Sequence, residues 1–227
     1  MSGMRFAAGE YAGGGIMEIK RVRCGPVVTN CYILFGSGNN AVVVDPGFNA
    51  EKIDRELGGS RVEYVVLTHA HFDHVYETDF FRRKYGAKSI ILDKELPSLK
   101  DERIVMPFTR PVEGYSLRHY TADILVSDGE EITLAGKTFR VIHTPGHTPG
   151  SMCLYCPEAK ILISGDTLFR GSVGRTDFPY GSSEDMRHSI ARLMSLPDDT
   201  QVLPGHGFHT TIGEERANNP FVCGEQR

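Results

Sequence analysis

The sequence predicts an α+β fold: two mixed β-sheets packed face to face, with helices outside. Two observations carry this. Short β-rich runs arrive in two ways, some as hairpin pairs around Gly/Pro/Asn turns and others alternating with helical segments. The chain has 227 residues, 40% of them hydrophobic, which supplies ample apolar material for one large domain. There is no clear linker and no exact internal repeat. The expected organisation is a flexible arm over 1–15, rich in glycine, followed by one domain over 16–227.

The elements follow in order. Ile16 to Val22, Val28 to Phe35 and Ala41 to Val44 are short β-rich runs. Gly36-Ser37-Gly38-Asn39-Asn40 reads as the turn between the last two. Asp45-Pro46-Gly47 ends a strand, and Asn49 is placed to cap a helix carrying Ile53 and Leu57, stopped by Gly58-Gly59. Val62 to Leu67 reads as a buried strand. A helix is expected over roughly His74 to Lys84, closed by Gly86, and then a strand over Lys88 to Leu92. Met106 to Asp123, with Pro107, Pro111 and Gly114, is the least regular stretch and reads as a loop. Glu131 to Leu134 and Thr138 to Ile142 form a hairpin around Ala135-Gly136-Lys137. Ser151 to Tyr155 and Ile161 to Ser164 form a second. Met186, Ile190 and Leu193 lie at helical spacing in a helix over about Ser183 to Leu196, with Ser183 as its cap. Gln201 to Leu203 is a short strand before Pro204-Gly205-His206-Gly207.

Composition narrows the function classes. A net charge of -4 gives no general attraction to nucleic acid or an anionic membrane. No apolar run reaches the length of a membrane-spanning helix, and the first residues do not read as a signal peptide. Five cysteines, Cys24, Cys31, Cys153, Cys156 and Cys223, form no regular framework, which suits a reducing cytoplasm. Cys153 and Cys156 lie three apart on an expected strand, so they point to opposite faces and read as core residues.

The chemistry is concentrated in Thr68-His69-Ala70-His71-Phe72-Asp73-His74. Three imidazoles and a carboxylate crowd this segment directly after an apolar strand. Donors so dense cannot be buried without partners, and a divalent metal satisfies them together. His69 and His71, two apart on extended backbone, point the same way. Three further elements also end strands: His143-Thr144-Pro145-Gly146-His147, Ser164-Gly165-Asp166-Thr167 and Gly205-His206-Gly207. Spacing alone leaves open whether His143 or His147 is a ligand. Asp166 suits a bridging role because its two oxygens can each take one ion.

With these motifs the chain resembles the metallo-β-lactamase superfamily, over nearly everything after Gly15. The resemblance implies a four-layer αββα sandwich. It implies that His69, His71 and His147 hold one metal, that Asp73, His74 and His206 hold another, and that Asp166 bridges both. It selects His147 over His143 and makes Asp45 a supporting residue behind the metal. Gly165 to Phe169 and Gly174-Arg175-Thr176-Asp177-Phe178 narrow the likeness to short glyoxalase II-like enzymes, hydroxyacylglutathione hydrolases. The longer members of that group carry a C-terminal helical domain that this sequence lacks, which separates thioester hydrolysis from any commitment to glutathione. The implied activity is hydrolysis of a small acyl-thiol substrate by a hydroxide bridging two divalent ions, zinc first, with iron or manganese suiting the same donors. Asp73 and Asp166 are the expected catalytic carboxylates. Two other readings compete: an iron-dependent persulfide dioxygenase, and a metal-bearing sensor or structural module without turnover. Arg175 and Asp177 read as an ion pair bracing their loop. Arg170, Tyr180, Phe208, Tyr76 and the segment from Arg110 to Tyr120 are candidate cleft residues. The assembly is expected to be a monomer or small homo-oligomer.

Overall fold

A computed structural model describes residues 17–107 and 120–223. The first sheet runs β1 (Glu18–Cys24), β2 (Thr29–Phe35), β3 (Asn40–Val44), β4 (Arg61–Val66), β5 (Lys88–Leu92) and β6 (Ile124–Val126), side by side in that order. The pairings from β1 to β3 are antiparallel and those from β3 to β6 are parallel, so the sheet is mixed. The second sheet takes β7 (Glu131–Leu134), β8 (Lys137–His143), β9 (Met152–Cys156) and β10 (Ile161–Gly165). It continues with β13 (Gln201–Pro204) and β14 (Thr210–Thr211). Only β10 and β13 pair in parallel there. A small ribbon of β11 (Leu168–Phe169) and β12 (Ser172–Val173) stands apart.

Alternation along the strands builds three apolar layers. Val42 and Val44 face the second sheet, where they meet Phe139, Leu154 and Ile163. Val43 between them faces outward with Ile33 and Val65, under Ile53 of α1 (Ala50–Glu56) and Phe81 of α3 (Thr78–Tyr85). On the far side, Cys153, Tyr155, Leu162 and Val202 bury against α5 (Ser183–Leu193) and Ile212 of α6 (Ile212–Asn218). The order is helix, sheet, sheet, helix, as expected. Cys153 packs in this outer layer and Cys156 between the sheets, which is the opposite-face placement expected of the pair. Each layer is apolar on both sides, so burial of this surface is the main source of stability.

Several local expectations are corrected. Asn49 precedes α1 in a left-handed conformation (φ 63°) and makes no side-chain cap bond. Its Oδ1 instead accepts from the Gly25 amide at 3.0 Å. The helix expected over 74–84 is two helices, α2 (Phe72–Val75) and α3, because the Glu77 amide leaves the helical ladder and donates to the Pro46 carbonyl. Ser182, not Ser183, caps α5 by accepting from the Asp185 amide. The sequence reading omitted a 3-10 stretch at Asp93–Lys100, α4 (Glu102–Val105), β6, the β11–β12 ribbon, β14, α6 and α7 (Pro220–Cys223). All are short, and periodicity has little to work with below about two turns. The expected arm over 1–15 and most of the 106–123 loop lie outside the described residues. No helix among the described residues is long and apolar enough to cross a membrane.

Candidate metal centre

The parallel strands decide where the donors meet. β3 and β4 run together, as do β10 and β13, so the segments leaving their C-terminal ends emerge along one edge of the sandwich. Asp45 follows β3, the Thr68–His74 segment follows β4, Asp166 follows β10 and His206 follows β13. The two sheets are pinned together there. The Met152 amide donates to the Thr68 carbonyl at 2.9 Å, and the Asn30 amide to the Gly205 carbonyl at 2.7 Å.

Close approach depends on glycine at two of these ends. A Cβ at position 205 would lie 2.1 Å from Asp166 Oδ1, and one at position 165, where φ is +48°, would lie 2.5 Å from Thr68 Oγ1. Only a residue without a side chain lets these loops touch.

The structure gathers all seven expected donors. His69, His71 and His147 offer nitrogens within 4.8 Å of one another, as do the donor atoms of His69, His74 and Asp166, and those of Asp73, His74 and His206. His69 Nε2 and His71 Nδ1 converge to 3.0 Å. Asp166 reaches His74 through Oδ1 at 3.5 Å, and reaches His147 and His206 through Oδ2 at 3.5 and 3.4 Å. It therefore stands between the two groups. All are buried except His206, which is partly open at 28% exposure of its side chain. His143 lies apart, its Nε2 on the Pro149 carbonyl at 2.9 Å.

The imidazoles are aimed from behind. Asp45 Oδ2 takes His74 Nδ1 at 3.0 Å and the Thr68 hydroxyl at 2.7 Å, while Oδ1 accepts from the Thr68 amide. The Arg175 carbonyl takes His147 Nδ1 at 2.8 Å. In both rings this commits Nδ1 and leaves Nε2 facing the cluster. Thr29 Oγ1 donates to Asp73 Oδ2 at 2.6 Å. The Asn30 side chain donates to the Pro204 and Gly207 carbonyls on either side of His206, and the Tyr32 hydroxyl donates to Pro204 as well.

Carboxylates and imidazoles set one another's charge. Burial opposes ionisation of Asp73 and Asp166, yet the histidines around them hold both carboxyls well below the usual range. Burial likewise opposes charge on His206, but Asp166 and Asp73 lift it to about 10. His74 is raised for the same reason, against its burial, by Asp73, Asp166 and Asp45. Burial and neighbouring imidazoles push His69 and His71 well down, and burial lowers His147. Among the described residues, the ion-pair partners of Asp73 and Asp166 are all histidines. His74 Nε2, His147 Nε2 and Asp166 Oδ1 are buried and make no hydrogen bond. Orphaned atoms of this kind, facing one another around two acids, are what divalent ions would satisfy.

A cleft reaches the cluster between Val27, Phe72, Pro107 and Phe178, with His71, Asp73, Arg175 and His206 on its walls. Phe178 sets its edge near His71, ring centres 5.6 Å apart. Arg175 lies over the Phe178 ring and makes a two-bond pair with Asp177 at 2.7 and 2.6 Å. That pair is exposed and braces the loop, while Arg175 meets the cluster through its backbone. Of the other cleft candidates, Arg170, Tyr180 and Phe208 do not line this opening. Tyr76 stacks on Phe48 in the core and Tyr120 is buried in the same layer, while 108–119 lie outside the described residues. Thr29, Asn30, Thr68, Val27 and Phe178 were missed as site residues. Only Thr68 and Phe178 carried a signal, Thr68 as the first residue of the Thr68–His74 motif and Phe178 as the last of the Gly174–Phe178 motif.

An αββα sandwich with a histidine–aspartate cluster at one edge defines a metallo-hydrolase architecture. The family model for the metallo-beta-lactamase superfamily matches residues 24–206, and the chain belongs to that superfamily. Hydroxyacylglutathione hydrolase GloC of Haemophilus influenzae is 34% identical over 200 residues, which cover 85% of this chain and 92% of that protein. The solved structure of BLEG-1 B3 metallo-beta-lactamase superposes with a TM-score of 0.81 at 36% identity, covering 90% of this chain and 99% of that one. TTHA1623, solved in a di-iron-bound form, gives a TM-score of 0.73 at 35% identity, covering 88% and 98%.

Proposed function

We propose that this protein hydrolyses a thioester or related acyl ester in the manner of glyoxalase II. His69, His71 and His147 would hold one divalent ion, Asp73, His74 and His206 a second, and Asp166 would serve both. The observation that carries the reading is the convergence of seven donors from four strand ends, with buried orphan atoms on three of them. Zinc is the first assignment, and the same mixed nitrogen and oxygen set accepts iron or manganese. Similarity to GloC supports an acyl-thiol substrate, with glutathione as the first thiol to try.

Bound ions supply a water of lowered pKa and a Lewis acid for the acyl carbonyl. The chain supplies position and exclusion. Asp73, fixed by the Thr29 hydroxyl, stands at the cleft wall beside His206 and accepts a hydrogen bond from the attacking water, turning its lone pair to the carbonyl. Asp166 holds the two donor groups at a fixed separation. Val27, Phe72, Pro107 and Phe178 seat the acyl portion and keep bulk water away. The thiol portion lies toward His206, the open side of the cluster. The remaining parts of the proposal are a single domain over 16–227 and a reducing compartment, which five free cysteines favour.

The test is elemental analysis together with turnover. Near two ions per chain and hydrolysis of S-lactoylglutathione or another acyl thioester is the expected result. Asp166→Ala and His71→Ala should each lose most metal and nearly all turnover. Full thioesterase activity in a metal-depleted Asp166→Ala protein would refute the scheme. A β-lactam hydrolysed faster than any thioester would move the substrate class. One iron per chain with oxygen uptake on a persulfide would move the reaction to sulfur oxidation.

A further inference from the structure

Glu95 is a fully buried acid in the 3-10 stretch that follows β5. Its Oε1 accepts from the Ala70 amide at 2.9 Å, and its Oε2 from the Gly150 amide at 2.7 Å and the Ser98 hydroxyl at 3.1 Å. The Thr148 hydroxyl also bonds to it. Among the described residues no lysine, arginine or histidine lies within ion-pair distance of this carboxylate. Burying an unpaired acid is expensive, and such groups persist where several donors converge on them.

The donors that Glu95 collects come from two separate segments. Ala70 stands between His69 and His71, and Gly150 follows His147 by three residues. The second contact is shaped for closeness, since a Cβ at position 150 would lie 2.3 Å from the Glu95 nitrogen. The hydrogen bonds of Glu95 go to Ala70, Ser98, Thr148 and Gly150, and none to the three histidine rings. It makes no bond to Asp73, His74 or His206, which are held from behind by Thr29, Asp45 and Asn30 instead.

We propose that Glu95 is a positioning residue for the three-histidine site: one carboxylate ties the His69–His71 segment to the His147 loop and fixes the spacing of those nitrogens before a cation arrives. The inference rests on the metal reading above. Its chemistry is specific to a carboxylate. Two backbone N–H groups facing one side chain need two acceptor oxygens, and an amide of the same shape turns a donor toward one of them.

Glu95→Gln tests this, with zinc affinity measured by competition against a chromophoric chelator and the site's geometry by the absorption of the cobalt(II)-loaded protein. The native chain is expected to bind two zinc ions. Glu95→Gln should weaken one of them roughly 10- to 100-fold, leave the other unchanged and alter the cobalt spectrum. The same loss should persist in a His206→Ala background, which keeps the three histidines. Phe139→Ala, a core change between the sheets, should lower stability without moving zinc affinity, which separates positioning from general destabilisation. Native zinc affinity and an unaltered cobalt spectrum in Glu95→Gln would overturn this inference alone. A native chain that binds no zinc would overturn the metal reading and this inference with it. Should Glu95→Gln fail to fold, amide exchange in the unaltered metal-free protein decides. Slow exchange at Ala70 and Gly150 is expected, and exchange at the rate of an open loop would overturn the brace.

Discussion

The two halves of the donor cluster are built differently. His69, His71 and His147 are sunk in the protein, and burial first, then neighbouring imidazoles, pushes all three down. Asp73, His74 and His206 form a charged group open to the cleft on the His206 side. The first half is a preformed pocket of lone pairs between loops tied together through Glu95. The second half depends on β2: Thr29 holds Asp73, while Asn30 and Tyr32 reach across to the end of β13 and the loop after it. The contrast teaches that one cluster can place a sheltered donor group and an accessible one side by side, using the same residue types. Depth and charge assign the roles.

Breaking either half should separate them. The largest effect is expected from His147→Ala, which removes a buried donor and should abolish turnover with loss of at least one ion per chain. His206→Ala, at the open edge, should retain one ion and residual activity; equal turnover in the two variants would erase the distinction. Asp45→Asn comes next. It turns one of two acceptor oxygens into an NH2 donor, so His74 and Thr68 can no longer both be met, and a loss of about 10- to 100-fold in metal affinity or turnover is expected from equilibrium dialysis and kinetics. Asn30→Leu removes one donor each from the Pro204 and Gly207 carbonyls, which keep Tyr32 and Arg21 as partners. It should weaken the second ion by about threefold, through a looser His206 loop, while sparing the first.

A smaller effect concerns pH. His209, on the same loop as His206, contacts the Tyr32 hydroxyl at 3.2 Å, and burial with nearby Arg21 pushes it down to about 4. The folded chain therefore keeps it neutral where the unfolded chain, titrating near 6.5, takes up a proton. The unfolded state binds more protons in that window, so stability falls as pH drops below 6.5, and this contribution levels off below about 4. Urea unfolding at a series of pH values should show a shallower slope for His209→Gln than for the native chain. Smallest of all, Asp177→Asn breaks an exposed pair and should shift the thermal midpoint by less than about 3 °C.

Much of the site was legible because metal chemistry restricts residue type. Dense histidine and aspartate after an apolar strand, and further donors at later strand ends, read directly from the chain. The resemblance chose His147 over His143, and the structure leaves His143 on the Pro149 carbonyl, away from the cluster. The supporting residues were not legible. Asp93-Lys94-Glu95 drew no site expectation, and its first two residues are exposed while the third is fully buried. Thr29 and Asn30 read as ordinary strand residues, because a hydroxyl or amide gives no local sign of a partner more than forty residues away.

The sequence by itself determined the alternation that builds two sheets and the identity of the donors, since period and ligand chemistry are local properties. The tertiary structure alone decided which donors share a neighbourhood, which is open to the cleft and which polar groups stand behind them. Those depend on parallel strands ending at one edge and on glycine-sized approaches between distant loops. Such distances are set by how the layers pack, and no short window of residues encodes them.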